Sequence, residues 1–527
     1  MRVLGIEGTA WAASAAVYDD ETDDVFIETQ AYQPDSGGIH PREAAEHMRE
    51  AIPAVVETAL GAAAGPIDAV AFSRGPGLGP CLRIVGTAAR SLAQGLDVPL
   101  VGVNHMVAHL EIGRHRSGLD SPVCLNVSGA NAHVLGYRNG RYRVLGETMD
   151  TGAGNAIDKF TRHVGWSHPG GPKVEAAAED GEYVDLPYVV KGMDFSFSGI
   201  MSAAKQAYDD GVPVEDVSRG LQETMFAMLT EVAERAMSLT GRDELVVGGG
   251  VAQNERLREM LREMTDRRGA DLYVPEARFL RDNAGMIAVL GATMAAAGDT
   301  VDIDASGVDP DFRPDEVPVT WRAGESVDVR RFDRATVTGA EATVTRQDGS
   351  IRKAREPRRY RHPSLDERLR RERTDEEARL IHDARKEGVP TPVIRDVDRT
   401  SHTIVLEHVG ERDLRAALEP EKVADVGRHL GTLHDAGIVH GDPTTRNVRV
   451  DGERTYLIDF GLGYYSRDVE DHAMDLHVFE QSLVGTADEP DELRRRFEAA
   501  YGTSRGDAAP PVVDRLREVE GRGRYQE

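Results

Sequence analysis

The chain of 527 residues sets 63 basic against 90 acidic residues for a net charge of −27, and its basic residues are 56 Arg and only 7 Lys. Such acidity with scarce lysine fits a protein adapted to high salt, where fields are screened within about 3 Å at 1 M; it excludes whole-surface attraction to nucleic acid and leaves RNA contact to local arginine patches. Two cysteines, Cys81 and Cys124, exclude a disulfide framework and a thiolate metal site, and no stretch approaches the about 20 apolar residues of a membrane span, so the expectation is a cytoplasmic protein without membrane attachment.

Arg2 to Ile6 reads as a buried strand entering the turn GIEGTA, with further strands at Ala12 to Tyr18 and Val25 to Gln30. Helical spacing runs from Pro41 to Leu60. Asp68 to Phe72 is a short strand ending at SRGPGLGP, whose glycines and prolines force a tight loop before a helix from Cys81 to Leu96. The strand Pro99 to Val103 then delivers GVNHMVAHLEIG, in which His105 and His109 stand four residues apart where strand passes into helix. Two histidines at that interval share one helical face and can offer two imidazole nitrogens to one zinc or iron ion. The alternative, a pair of singly bonded surface histidines, stays open on spacing alone.

The pattern then restarts. Val123 to Val127 is a strand entering SGAN, and strands at Ala132 to Tyr137 and Tyr142 to Glu147 flank Asn139-Gly140, a strong hairpin turn. Helices at Asn155 to Val164 and Glu215 to Leu239 follow, then the strand Glu244 to Val247 and GGGVAQN. Repetition of strand, glycine turn and two strands predicts two related lobes facing a cleft, with turns that let backbone N–H groups approach an anion.

From Asp299 onward acidic residues and Pro310, Pro314 and Pro318 mark the end of this unit, and a linker is expected at 325–335, after Arg322. A second unit at 336–527 opens with the segment Arg352 to Arg373, ten basic residues against four acidic, and closes with Arg515, Arg517, Arg522 and Arg524. These runs are either solvated helix faces or contacts for an RNA backbone. Inside the unit, HGDPTTRN and IDFG lie at the spacing of a protein-kinase catalytic loop and its magnesium turn. Asp442 would receive or orient the nucleophile's proton, Asn447 and Asp459 would ligate magnesium, and Lys353 with Glu377 would hold the phosphates. In place of GxGxxG there is only Gly339-Ala340-Glu341-Ala342, and no large substrate lobe follows. Such a core can bind and split ATP.

In order, GIEGTA, SRGPGLGP, NHMVAH, SGAN, GAGNAIDKF, HPGGPKVE, FSFSG, GGGVAQN and RDNAGMIA resemble the tRNA threonylcarbamoyladenosine transferase family over residues 1–324. The second unit, with GAEA and HGDPTTRN, resembles the small atypical kinase of the KEOPS complex, so the whole chain looks like the archaeal fusion of the two. The resemblance implies an α/β fold of the two-lobed actin, heat-shock ATPase and sugar-kinase type, followed by a small α+β kinase-like domain. It implies transfer of threonylcarbamoyl from threonylcarbamoyl-AMP, supplied by a separate synthase, to adenosine 37 of tRNAs reading codons that begin with adenine. Partners would be tRNA and the other KEOPS subunits, with ATP and magnesium in the kinase unit. Iron or zinc, iron favoured, would sit on His105, His109 and Asp282. Where relatives commonly carry a tyrosine, Asn126 offers a carboxamide oxygen as a weaker fourth ligand, and Trp11 stands where a histidine is frequent. The adenylate would lie over Asn126, Val127, Ser128, Gly129 and Ala130, with Asp158, Gly171, Glu175 and Asn254 about its nucleotide. Two rivals are a metalloprotease, although Met106 stands where HExxH needs its glutamate, and a signalling kinase with a regulatory domain of this two-lobed type.

Overall fold

The computed structural model describes residues 1–32, 40–138, 140–322, 336–339, 341–347 and 349–521. In the first lobe, β1 (Arg2–Glu7), β2 (Ala12–Asp19) and β3 (Asp24–Ala31) form a meander. After helix α1 (Pro41–Ala62) come β4 (Ala69–Gly75), α2 (Gly79–Leu96), β5 (Leu100–Asn104) and α3 (His105–Ser117). The sheet order is β3-β2-β1-β4-β5, with β1 antiparallel to β2 and parallel to β4.

The second lobe repeats this plan. Its elements are β6 (Val123–Val127), β7 (Ala132–Arg138), β8 (Arg141–Glu147), α4 (Ala153–His163), α5 (Gly171–Asp180), β9 (Val190–Lys191), β10 (Asp194–Phe195), α6 (Ser198–Asp209), α7 (Val214–Thr240), β11 (Glu244–Gly248), α8 (Glu255–Arg268), β12 (Asp271–Tyr273), α9 (Ala277–Leu280) and α10 (Ala284–Ala296). The sheet runs β12-β11-β6-β7-β8, and β6 is antiparallel to β7 and parallel to β11. Read from the other edge, that is the order of the first sheet, so the two lobes expected from the repeated turns share one topology. Of the Asn139-Gly140 turn, Asn139 lies outside the described residues, and Gly140 takes a φ of 73°.

Helices α3 and α10 join the lobes. Residues His105 to Gly113 of α3 are all buried, and its Met106, Val107 and Leu110 share one core with Val103 of the first sheet, Val246 of the second and Ile287 of α10. Burial all round its first nine residues encloses the polar His105, His109 and Glu111 together with the apolar side chains. Gly5 lets β1 meet α10: a Cβ there would lie 2.5 Å from the Ala284 carbonyl oxygen and 2.7 Å from the Ala288 nitrogen.

The second unit opens with β13 (Thr336–Thr338), β14 (Thr343–Gln347), β15 (Ser350–Ala354), α11 (Pro363–Lys386), β16 (Ile394–Asp398) and β17 (Thr403–Glu407), whose sheet order is β13-β14-β15-β17-β16. Helices α12 (Pro420–Asp435), α13 (Val469–Thr486), α14 (Pro490–Arg505) and α15 (Ala509–Gly521) form its other layer. The expected linker at 325–335 lies outside the described residues. Arg322 itself belongs to the first unit, buried with its guanidinium carbon 3.8 Å from the Tyr137 ring centroid and its Nη2 donating to the Asp120 carbonyl at 2.9 Å. No helix among the described residues is long and apolar enough to cross a membrane.

The two units meet along α7. Arg446 and Arg415, from the second unit, donate to the carbonyls of Ser238 and Leu239, capping the negative end of that helix. Beside them, buried Asp194 accepts from the Glu147 N–H at 2.8 Å, and His477 of α13 stands 3.9 Å away. Burial, then the Glu147 carboxylate, push the Asp194 carboxyl up to about 8, with Arg313 opposing. An acid whose pKa rises on folding stabilises the native state most below its unfolded value of 3.8, and that contribution is lost as pH rises toward about 8. Asp194→Asn keeps the acceptor oxygen and has no proton to lose. Its thermal midpoint should therefore exceed that of the parent by several degrees at pH 8.5, with the gap closing toward pH 4, as followed by circular dichroism.

Candidate metal and nucleotide sites

His105 opens α3 and Asn104 caps it, its side-chain oxygen accepting from Met106 N–H at 3.0 Å and Val107 N–H at 3.1 Å. Asp282 lies just before α10, whose cap is Asn283. These two caps aim the starts of both central helices at one point, where His105 Nε2 stands 3.3 Å and His109 Nε2 3.6 Å from Asp282 Oδ1. One ligand atom from each residue falls within 4.8 Å of the others.

The electrostatics of the three groups differ. Burial opposes charge on His105, but the Glu7 and Asp282 carboxylates outweigh it and hold that imidazole up to about 10. Burial lowers His109, so its ring is neutral. Burial likewise opposes ionised Asp282, yet the imidazoles of His105 and His109 hold it well below the usual carboxylate range. Both ring nitrogens of His109 and Oδ1 of Asn126 are buried without a hydrogen-bond partner. Buried polar atoms are seldom left so. Two imidazoles, a carboxylate and these orphaned atoms are a donor set that fits a divalent transition metal. Asn126 belongs beside it: a Cβ on Gly248 would lie 3.1 Å from Asn126 Oδ1 and 3.5 Å from His109 Cβ.

Sequence reasoning missed Glu7. Fully buried, its Oε2 stands 3.1 Å from His105 Nδ1 while Oε1 accepts from Thr9 N–H at 2.8 Å. A carboxylate behind a ligand imidazole fixes its ring and tautomer. The available signal was a glutamate ending an otherwise apolar strand at a glycine turn. Also missed were Asn131, His133, Glu147 and Arg313, which line a pocket together with Met106, the neighbour of His105. There His133 Nε2 lies 3.5 Å and Arg313 Nη1 3.7 Å from the Glu147 carboxylate.

The residues expected around the adenylate follow one rim of the second lobe. The turn from Ser128 to Asn131 is braced by α4, with Gly154 N–H on the Ser128 carbonyl at 3.3 Å and Asn155 N–H on that of Gly129 at 2.8 Å. Gly129 and Ala130 are exposed at its tip, next to buried Asn126 and Val127. Asp158 of α4 accepts from Gly170 N–H at 2.8 Å, beside Gly171 at the start of α5. Glu175 of α5 accepts from Glu255 N–H at 2.7 Å, and Asn254 caps α8 through Leu257 N–H at 3.2 Å. Gly249 permits the close packing beneath, at a φ of 85° that strains other residues, where a Cβ would lie 2.2 Å from the Val127 carbonyl oxygen.

In the second unit, Lys353 Nζ lies 2.7 and 2.9 Å from the Glu377 oxygens and 2.5 Å from Asp459 Oδ1. Asn447 Nδ2 donates to Asp442 Oδ2 at 3.0 Å. Burial raises the Asp442 carboxyl, whereas Lys353 overcomes burial to hold Asp459 well below the usual range. Glu341 contacts Arg235, which reaches Asp442, and Gly339 N–H donates to the Ala342 carbonyl at 2.9 Å; Ala340 lies outside the described residues.

Much of the basic segment from Arg352 to Arg373 is turned into the protein, while Arg352, Arg359 and Arg371 stay exposed. Arg355, Arg358 and Arg361 are buried, and Arg361 and Arg373 reach Glu231 of α7 at 2.5 and 3.1 Å. Arg358 approaches Glu234 at 3.6 Å, and Tyr183 stacks on His362 with centroids 4.2 Å apart. Arg358, Arg361 and Arg373 thus neutralise acids of the first unit, while Lys353, Arg355 and Arg370 pair within the second. Of the closing cluster, Arg515 pairs with Glu470 at 3.4 Å and Arg517 with Glu498 at 2.5 Å, while Arg522 and Arg524 lie outside the described residues.

Comparison with known proteins agrees with this architecture. The TsaD family, tRNA N6-adenosine threonylcarbamoyltransferase, matches residues 22–289. A bifunctional tRNA threonylcarbamoyladenosine biosynthesis protein of Halobacterium salinarum is 72% identical over 529 residues, covering 100% of this chain and 99% of its own length. That of Methanospirillum hungatei is 52% identical over 523 residues, covering 99% of each. Among solved structures, full-length HypF in its phosphate- and nucleotide-bound form is 14% identical, with a TM-score of 0.41 over 56% of this chain and 55% of that one. The chain thus belongs to the TsaD family of tRNA N6-adenosine threonylcarbamoyltransferases, with its two lobes followed by a second α+β unit.

Proposed function

We propose that the first unit, residues 1–324, moves the threonylcarbamoyl group from threonylcarbamoyl-AMP to the exocyclic amine of adenosine 37 in tRNAs reading codons that begin with adenine. The observation that carries this reading is the convergence of His105, His109 and Asp282 beside the glycine-turn rim of the second lobe. The amine attacks the carbamoyl carbon, AMP departs with the electrons of its former bond to that carbon, and the proton lost by the amine passes to the departing phosphate or to solvent. His105, His109 and Asp282, with Asn126 beside them, would hold a divalent ion, iron by preference, which would supply Lewis-acid polarisation of substrate oxygens. Gly129, Ala130, Asp158, Gly171, Glu175 and Asn254 hold the adenylate, so that much of the rate gain comes from placing carbonyl and amine together. Adenylate leaves readily and makes little demand on acid catalysis. The test is the purified chain given threonylcarbamoyl-AMP, unmodified tRNA and the other KEOPS subunits, with the modified nucleoside read by mass spectrometry. Its formation is expected, and none forming would overturn the reading.

The second unit, residues 336–527, is proposed as an ATP-splitting kinase core that supports this transfer within the KEOPS assembly in the cytoplasm. Lys353 and Glu377 would hold phosphates, Asn447 and Asp459 would ligate magnesium, and Asp442 is the candidate catalytic carboxylate. The contacts of Lys353 with Glu377 and Asp459 support this assignment. Asp442→Asn should lower ATP turnover by about 10²- to 10⁴-fold, the usual weight of a positioned general base, measured as phosphate release. An unchanged rate would remove Asp442 from the chemistry.

A further inference from the structure

The second unit's cleft contains a side chain that the second unit does not supply. Arg235, on α7 of the transferase unit, is buried to 7% exposure with its guanidinium between two parts of the kinase-like site. Its Nη1 lies 3.4 Å from Asp442 Oδ2, and its Nη2 contacts Glu341, in the turn that replaces the glycine-rich phosphate loop. The base of the side chain is fixed, Nε donating to Glu231 Oε1 at 3.1 Å. A planar fork with a clamped stem is the geometry that recognises a phosphate.

Three observations place that fork where a terminal phosphate would pass. Lys353 and Asp459 mark one end of the triphosphate path, the lysine and metal end, and Asp442 marks the other, where the acceptor's proton is received. Arg235 spans from Asp442 to the covering turn. Glu341, the acid in that turn, has the wrong sign for a phosphate loop, yet it is where two cations converge, Arg235 and, at 3.5 Å, Arg373. Its Oε2 is buried without a hydrogen-bond partner and would lie 2.8 Å from a Cβ on Gly461 of the IDFG turn, the same added atom standing 3.1 Å from Asp459 Oδ1. A carboxylate thrust toward the metal-binding aspartate and held there by arginines occupies the place of an anionic ligand.

We propose that Arg235 binds the terminal phosphate of a nucleoside triphosphate in the second unit's cleft, so that this site is completed by a residue of the transferase unit, with Glu341 holding the guanidinium until the phosphate displaces it. The proposal rests on the ATP-splitting reading of the second unit. It makes occupancy of that unit depend on the seat of α7, which also carries Glu231 and Glu234 into the junction.

The test is calorimetric titration of the full chain with magnesium ATP and magnesium ADP. Arg235→Ala should bind ATP about ten- to a hundredfold more weakly, the weight of a charge-assisted hydrogen bond, while ADP binding stays as in the parent. Arg235→Lys should fall between, and Glu341→Gln should bind ATP more tightly than the parent. Thermal melts of both Arg235 variants show whether α7 keeps its seat, and Arg235→Lys carries the test if the alanine form unfolds. Equal weakening of ATP and ADP, no change in either, or tighter ATP binding in Arg235→Ala would overturn the assignment, the last showing that the arginine only blocks the cleft. A parent chain that binds neither nucleotide would bring down the kinase reading itself, a different result from loss of ATP selectivity alone.

Discussion

A chain with His109→Ala is expected to keep its fold, lose its bound metal and form threonylcarbamoyladenosine at least about a hundredfold more slowly, since even residues behind the ligands usually cost 10- to 100-fold. The ring is enclosed and both its nitrogens lack a hydrogen-bond partner, so its removal breaks no hydrogen bond, and Asp282, 3.6 Å from its Nε2, keeps His105 as its partner. That separates it from His105, whose Nδ1 holds the buried Glu7 carboxylate. Asp282→Ala should match His109→Ala in metal content but should also destabilise the chain, because it leaves His105 with one carboxylate where it had two. Glu7→Gln should fall between parent and His109→Ala in both metal content and transfer. Elemental analysis alongside the tRNA assay checks the series. Full activity in metal-free His109→Ala would disconnect the cluster from the reaction.

The second large effect is expected at Glu231. This fully buried carboxylate receives Arg361 at 2.5 Å, Arg235 at 3.0 Å, Arg373 at 3.1 Å and the Tyr188 hydroxyl at 2.5 Å. Glu231→Ala removes the carboxylate that three guanidinium groups share in the junction, leaving Arg235 and Arg373 to Glu341 and Arg361 to Asp366, and breaking a buried pair from one side costs about 3–5 kcal/mol. We expect its two units to melt separately and the segment around Arg361 to become open to protease, with Glu231→Gln milder because it keeps acceptor oxygen. The pH dependence has a definite sign. Burial opposes the charged form of Glu231, but the arginines hold its pKa far below the ordinary 4.5, so its contribution is present above that value and lost as pH falls below it. The junction of the parent chain should therefore loosen in acid, and that of Glu231→Ala should show no such step.

Much of the fold was legible because its signals are local. Strand alternation and glycine turns marked β1 to β3 and β6 to β8, and their repetition was enough to expect two lobes of one plan. The His105–His109 pair was legible for the same reason, a single helical turn. Asp282 was not, since nothing in its own neighbourhood links it to a helix that begins 177 positions earlier; only its place in a family motif did so. Glu7 and Arg235 escaped because each acts through a partner distant in sequence, and a lone charged residue in a strand or a long helix carries no mark of its partner. The run from Arg352 to Arg373 misled for a related reason. Charge counted along the chain cannot show whether its neutralising partner is a tRNA phosphate or the buried face of α7, and here the acids of α7 meet several of those arginines.

The chemistry proposed for the first unit requires an ion where His105, His109 and Asp282 converge. Crystals of the purified chain, measured on either side of the iron and zinc absorption edges, should show one anomalous peak within bonding distance of His105 Nε2, His109 Nε2 and an Asp282 oxygen. A clean difference map at that point, or a peak held by other residues, would contradict it.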